Sequence, residues 1–236
     1  MPNSLDGKNV AITGAFGALG TAVAQAAREA GATVAAIDRL DQARAPLFAA
    51  GIRAWGGVDL GSPAAAEAAF KSVSDTFGGV DALVNVAGAF RWETVAEGSF
   101  DTWDLLYNVN LRTTLTATKV ALPYLLERSG DRGGRIVNIG AAAAANAQLG
   151  MGAYAASKSG VSRLTEALAA ELKDRGITVN AILPSIIDTP ANRTEMPNAD
   201  FARWVTPRQA ADVIVFLLSS ESSAITGASI PVVGRV

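Results

Sequence analysis

Short runs of β-branched and apolar residues alternate with longer alanine-rich stretches along this chain, and that alternation limits its possible folds more than any other feature. The short runs fall near residues 9–13, 33–38, 52–55, 82–85, 135–139, 178–183 and 229–232. Strands covered on both faces read as continuous apolar runs, and parallel strands need a crossover of a dozen or more residues between them. The intervening stretches supply those crossovers, with helices predicted near residues 19–30, 42–49, 64–77, 100–128, 153–175 and 207–219. The expected fold is therefore α/β, a Rossmann-type doubly wound, seven-stranded parallel sheet with helices on both faces. Half of the 236 residues are hydrophobic and no linker interrupts them, so residues 1–236 are expected to form one large domain.

Two absences narrow the chemistry. The chain has no Cys and no His, which removes disulfides, thiolate nucleophiles, Ser-His-Asp triads and ordinary zinc sites, and no metal site is expected. Acid and base work falls to carboxylates, Lys and Tyr. A net charge of -2 with dispersed Lys and Arg gives no basic stripe, so neither nucleic acid nor a membrane is expected as a partner. The apolar stretches are too short to span a bilayer and the first residues lack a basic start and an apolar signal core, so the expected location is cytoplasmic.

Thr13, Gly14, Ala15, Phe16, Gly17, Ala18, Leu19 and Gly20 follow the first strand and open the first helix. In that setting glycines permit a tight turn and let backbone N–H groups and the helix N-terminus approach a pyrophosphate. Elsewhere the same cluster is an ordinary strand-to-helix turn. Asp38 ends the second strand about twenty residues later, where a carboxylate can accept from an adenosine ribose hydroxyl. Its charge would repel a 2'-phosphate and favours NADH, while the adjacent Arg39 keeps NADPH possible. Asp59, after the third strand, is either a contact for the adenine edge or a cap for the next helix.

Tyr154 and Lys158 lie four residues apart on a predicted helix and so project from one face. A free phenol titrates near about 10, and an adjacent ammonium is expected to lower that value enough for proton transfer. The pair also suits a plain helix surface; the glycine turn upstream is what favours chemistry.

With these residues in view, the chain resembles a short-chain dehydrogenase/reductase over nearly its whole length. Thr13 to Gly20 is similar to the family's T-G-x-x-x-G-x-G, Asn85-Val86-Ala87-Gly88 to N-N-A-G, and Tyr154 with Lys158 to Y-x-x-x-K. Asn110 stands where the family places an active-site Asn, and Ile225-Thr226-Gly227 resembles the approach to its last strand. The resemblance implies catalytic roles for Tyr154, Lys158 and Asn110, the last tying a water to Lys158. It implies cofactor contacts from Gly14, Phe16, Gly17, Ala18, Leu19, Gly20, Asp38, Asp59, Asn85, Ala87, Gly88, Lys158, Pro184 and Thr189. It also implies a small-molecule substrate and a homodimer or homotetramer, for which the small apolar residues of the two long helices are the expected outlet.

Three departures stand out. Ala18 replaces the middle glycine, which is expected to reshape the turn, and Ser185 replaces the usual glycine after Pro184. Ala141, thirteen residues before Tyr154, replaces the serine that hydrogen-bonds a substrate carbonyl. That alanine, together with Asp188-Thr189-Pro190-Ala191-Asn192-Arg193, Met196-Pro197-Asn198-Ala199-Asp200-Phe201 and Trp204, resembles the quinonoid dihydropteridine reductase branch. That likeness implies NADH reducing a quinonoid or conjugated heterocycle, with Ala141, Gln148, Tyr154 and Asn192 on the substrate side. Two alternatives stay open: a dehydrogenase for another alcohol, ketone or quinone with Gln148 or Asn146 as the missing donor, and a catalytically silent NAD-binding protein.

Overall fold

Seven parallel strands form one sheet in the order β3-β2-β1-β4-β5-β6-β7 in a computed structural model that describes residues 3–46, 48–128 and 133–236. The strands are β1 (Asn9–Thr13), β2 (Thr33–Ile37), β3 (Ile52–Trp55), β4 (Ala82–Asn85), β5 (Gly134–Ile139), β6 (Ile177–Pro184) and β7 (Ser229–Val232). The helices are α1 (Ala18–Glu29), α2 (Pro63–Phe77), α3 (Phe100–Leu106), α4 (Thr113–Arg128), α5 (Gly152–Leu172), α6 (Pro190–Glu195) and α7 (Pro207–Leu218). Among the described residues no helix is long and apolar enough to cross a membrane.

Alternate side chains of each strand point to opposite faces, so the sheet divides the core in two. On one face Val10, Ile12, Val34 and Val84 pack with Val23, Ala27, Ile214 and Leu217 of α1 and α7. On the other, Ala11, Ile37, Leu83 and Ile136 pack with Phe70, Ala117, Leu125 and Leu168 of α2, α4 and α5. Each fully buried Leu, Ile or Phe contributes about 1.5–3 kcal/mol from removal of apolar area from water. At the amino edge of the sheet the buried Asp81 accepts from the backbone N–H of Asn9 at 2.7 Å and pairs with Arg128 at 3.0 Å, tying β1, β4 and α4 together.

The strands lie where the sequence puts them, within one residue; three helical expectations change. The segment 42–49 forms only a single 3-10 turn, Gln42–Arg44, and the expected helix also covers Leu47, which lies outside the described residues. Ala45 is extended (ψ 136°), the conformation that a following proline, Pro46, imposes. The long helix 100–128 is interrupted by a wide π turn at Tyr107–Arg112, and 153–175 ends in a 3-10 turn, Lys173–Arg175. The stretch after residue 188 is not all loop: Thr189 caps α6, with Pro190 preset for its first position.

Candidate active site

The strand order reverses direction between β1 and β4, and ligands of open parallel sheets bind beyond the carboxyl ends of the strands at such a point. A cleft of about 870 Å³ opens there, lined by the glycine turn, the ends of β2 and β3, Val86 to Phe90, Tyr154, Lys158 and the segment after β6.

Within the turn, two glycines are required and a third is not. Gly14 has φ +63°, and a Cβ there would stand 2.7 Å from the Ala87 backbone. A Cβ at Gly20 would stand 2.2 Å from the Gly14 carbonyl, so this glycine allows α1 to start directly against the turn. Gly17 is the extended N-cap (φ -75°), with nothing nearer than 3.5 Å. Ala18 is already helical, with an ordinary negative φ, so an alanine fits this position without backbone strain. The Thr13 hydroxyl accepts from the N–H groups of Val86 and Ala87 at 3.2 and 3.3 Å, joining the ends of β1 and β4.

Asp38 lines the cleft, and its two carboxylate oxygens accept from the backbone N–H groups of Phe16 and Leu40, each at 2.9 Å. Gly14, Gly17, Ala18, Leu19, Gly20, Asp59, Ala87, Gly88, Pro184 and Thr189 also line it. Phe16 does not. Its ring turns to Phe48 at 6.1 Å, and only its backbone N–H serves the site, through Asp38. Asp59 accepts from Gly61 N–H at 2.8 Å, while the cap of α2 is Ser62, so the capping alternative for Asp59 falls away. Asn85 is buried behind the cleft rather than in it, donating to Thr118 at 3.1 Å and Asn138 at 2.9 Å. Its Oδ1 has no partner among the described residues.

Tyr154 and Lys158 both face the cleft from the first turns of α5. The Phe90 ring meets the Tyr154 ring edge-to-face at 4.9 Å. Lys158 Nζ donates to the Ile139 carbonyl at 2.8 Å and is buried at the floor of the cleft; Gly88 makes room for it, since a Cβ there would come within 3.2 Å of Nζ and 2.7 Å of Asn110 Oδ1. Burial pushes the ammonium down to about 8. Burial also pushes the phenol up to about 12, so in the protein alone the lowering expected from the neighbouring ammonium is absent: both groups sit in a medium that disfavours their charged forms. The phenol is held as a proton donor at neutral pH.

Asn110 lies buried in the π turn, the kind of local widening that often marks a functional site. Its amide brackets Ala89, accepting from the N–H at 2.9 Å and donating to the carbonyl at 3.0 Å, and donates to Ser157 Oγ at 3.0 Å. Ser157 in turn donates to the Tyr154 carbonyl at 2.8 Å. Both sides of the amide are thus engaged by protein atoms, and Asn110 ties Ala89 to Ser157 of α5. Ser157 was missed because a serine between Tyr154 and Lys158 carries no signal without the helix geometry.

The substrate-side expectations fare unevenly. Ala141 is buried next to Gly140, which lines the cleft, and contributes no hydroxyl. Gln148 is exposed on the loop before α5 and Asn146 is exposed beside it; neither lines the cleft. Asn192 also stays out of it, and its amide donates to the Ile187 carbonyl at 2.8 Å. Asp188 and Arg193 form a two-pronged ion pair at 2.6 and 2.7 Å, Arg193 covers the Phe201 ring at 4.8 Å, and Phe201 contacts Trp204 at 4.8 Å. The conspicuous motif 188–204 therefore builds a wall of the cleft, and only Thr189, Pro190 and Ala191 of it reach the cleft surface.

The short chain dehydrogenase family matches residues 8–200. The 2-(S)-hydroxypropyl-CoM dehydrogenase 3 of Xanthobacter autotrophicus is 34% identical over 254 residues, spanning 99% of this chain and 98% of that protein. A 3-oxoacyl-[acyl-carrier-protein] reductase of Vibrio harveyi is 31% identical over 246 residues, spanning 98% of each. Among solved structures, the 3-ketoacyl-(acyl-carrier-protein) reductase of Brucella melitensis complexed with NADH superposes with a TM-score of 0.89 at 28% identity, covering 98% of both chains.

Proposed function

The chain belongs to the short-chain dehydrogenase family of NAD(P)-dependent oxidoreductases, and on that premise we propose that it uses NADH to reduce a quinonoid or conjugated heterocyclic acceptor, in the manner of a quinonoid dihydropteridine reductase. The observation that carries this reading is a proton-donating centre complete in Tyr154, Lys158 and Asn110 beside a buried Ala141 with no hydroxyl to offer. An oxyanion donor is worth about 10²–10³ in rate when charge gathers on one oxygen. A conjugated ring spreads that charge and needs the donor less.

The cradle fits a dinucleotide: Gly14 and Gly20 let the turn, β4 and α1 pack backbone to backbone, the N-terminus of α1 faces the cleft, and Asp38 lines it at the end of β2, where an adenosine ribose would lie. The Asp38 carboxylate favours NADH, with Arg39, which also lines the cleft, as the group that would accept a 2'-phosphate. When bound, the nicotinamide supplies the hydride. Lys158 would hold the nicotinamide ribose and keep positive charge near the phenol. Tyr154, a phenol protonated at neutral pH in any case and pushed further up by partial burial, would give its proton to the reduced acceptor and regain one from solvent. Asn110 and Ser157 keep Tyr154 and Ala89 in register.

A second reading, a dehydrogenase for an ordinary alcohol or ketone, draws on the relatives' names. The two separate in one experiment: NADH consumption with a quinonoid dihydropterin, a para-quinone and a panel of ketones, repeated with Ala141→Ser. The proposal expects the conjugated acceptors to be turned over best, with the new hydroxyl improving only the ketones, by about tenfold or more. Preferred ketone turnover by the unaltered protein would replace it with the second reading.

A further inference from the structure

We propose that residues 233–235 act as a strap that fixes the cleft wall 185–206, and that Ser185 and Arg235 are positioning residues setting how slowly a bound molecule leaves. Ser185, Ile187, Thr189, Pro190 and Ala191 of that wall line the cleft, so whatever holds the wall acts on the cleft; Arg235 does so from outside it, and its effect on release separates the strap from any direct contact of Ser185. The wall is tied to itself by the parallel bridge of Ile187 with Val205 and by the Asp188–Arg193 pair. It is tied from outside at both ends by the strap. At the near end Ser185 Oγ donates to the Val233 carbonyl at 2.8 Å, and Ser185 N–H donates to the Val232 carbonyl at 3.2 Å. At the far end Arg235 N–H donates to the Arg203 carbonyl at 3.0 Å, its guanidinium donates to the Ala202 carbonyl at 2.7 Å, and Arg203 returns a bond to the Arg235 carbonyl at 2.8 Å.

Gly234 makes this crossing possible. It has φ +62°, and a Cβ there would stand 2.7 Å from the Arg203 carbonyl. The serine at position 185 thus has a structural consequence: a glycine at the same place keeps the backbone bond to Val232 but has no hydroxyl for Val233. With the near end held only by its backbone, the segment after β6 would be freer to swing. With both ends held, the wall is a fixed surface.

Hydrogen exchange followed by mass spectrometry on the full chain reads the wall directly, with Ser185→Ala, Arg235→Ala and Gly234→Val as variants. Each lost side-chain hydrogen bond is expected to speed exchange across 185–206 about threefold to tenfold, with exchange in β1 and α1 unchanged. Gly234→Val, which displaces the strap, should exceed both. Stopped-flow release of NADH should quicken by a similar factor; this arm rests on the cofactor assigned under Proposed function. Unchanged exchange in 185–206, or a rise spread evenly over the chain, overturns the strap. Faster exchange with unaltered NADH release overturns its control of the ligand. Failure of the unaltered protein to bind NADH refutes the cofactor assignment, and the exchange data then decide the strap alone.

Discussion

At the scale of single residues, the site works by burying two groups that water would prefer to keep. Lys158 is held at about 8, against 10.5 for a free side chain, so folding at neutral pH carries a penalty of about 3 kcal/mol from this ammonium. Below about pH 8 folded and unfolded chains both carry the proton and the penalty is fully present. It fades as pH rises from about 8 toward 10.5, where only the unfolded chain still holds the proton. Lys158→Met should therefore abolish turnover yet raise stability at pH 7 by about 1–2 kcal/mol, after the lost bond to Ile139 is subtracted, as urea denaturation would show. The same value sets a pH profile: reduction should decline as pH rises through about 8, because Lys158 loses its charge while Tyr154, near 12, stays protonated. A rate constant that is flat from pH 7 to 10 would contradict this. The types of these residues were plain in the sequence. Their burial was not, and in the protein alone it pushes the phenol up.

At the scale of elements, the glycine turn shows which parts of a motif carry the geometry. Gly20→Ala should abolish dinucleotide binding, because its Cβ would overlap the Gly14 carbonyl and push α1 off the turn. Gly17→Ala should keep the fold, since its φ is ordinary, its nearest protein neighbour is 3.5 Å away and a Gly-to-Ala change at an N-cap costs at most about 1 kcal/mol, and it should weaken binding less than Gly20→Ala because its Cβ borders the cleft rather than the backbone of the turn. Equal losses in calorimetric titrations with NADH would refute the distinction. The strands were legible because parallel strands with helices on both faces leave unbroken apolar runs. The turn and the Tyr154–Lys158 pair were legible because each is set by local spacing. What the sequence hid depends on contacts between distant segments. Asn110 in the π turn is tied to Ser157 of α5, and the Asn192 amide folds back to Ile187, away from the cleft surface. Pro46 was the overlooked local signal, and it is what keeps 42–49 from continuing as a helix.

At the scale of the whole molecule, the sheet places the pieces and leaves one face of α3 and α4 unfilled. Trp103 of α3, Tyr107 of the π turn between them and Leu115 of α4 are exposed, a surface suited to pairing across a two-fold axis. Light scattering coupled to gel filtration should find a dimer or tetramer, and a monomer at micromolar concentration would exclude that assembly. Within the chain, the cleft sets the glycine turn opposite Tyr154 and Lys158, and the proposed reaction depends on Tyr154 as the proton donor. The most direct test is NADH oxidation with the best conjugated acceptor by Tyr154→Phe, with NADH affinity measured alongside. A fall in kcat of about 10²–10⁴ with NADH binding unchanged is the predicted result; turnover equal to that of the unaltered protein would contradict it.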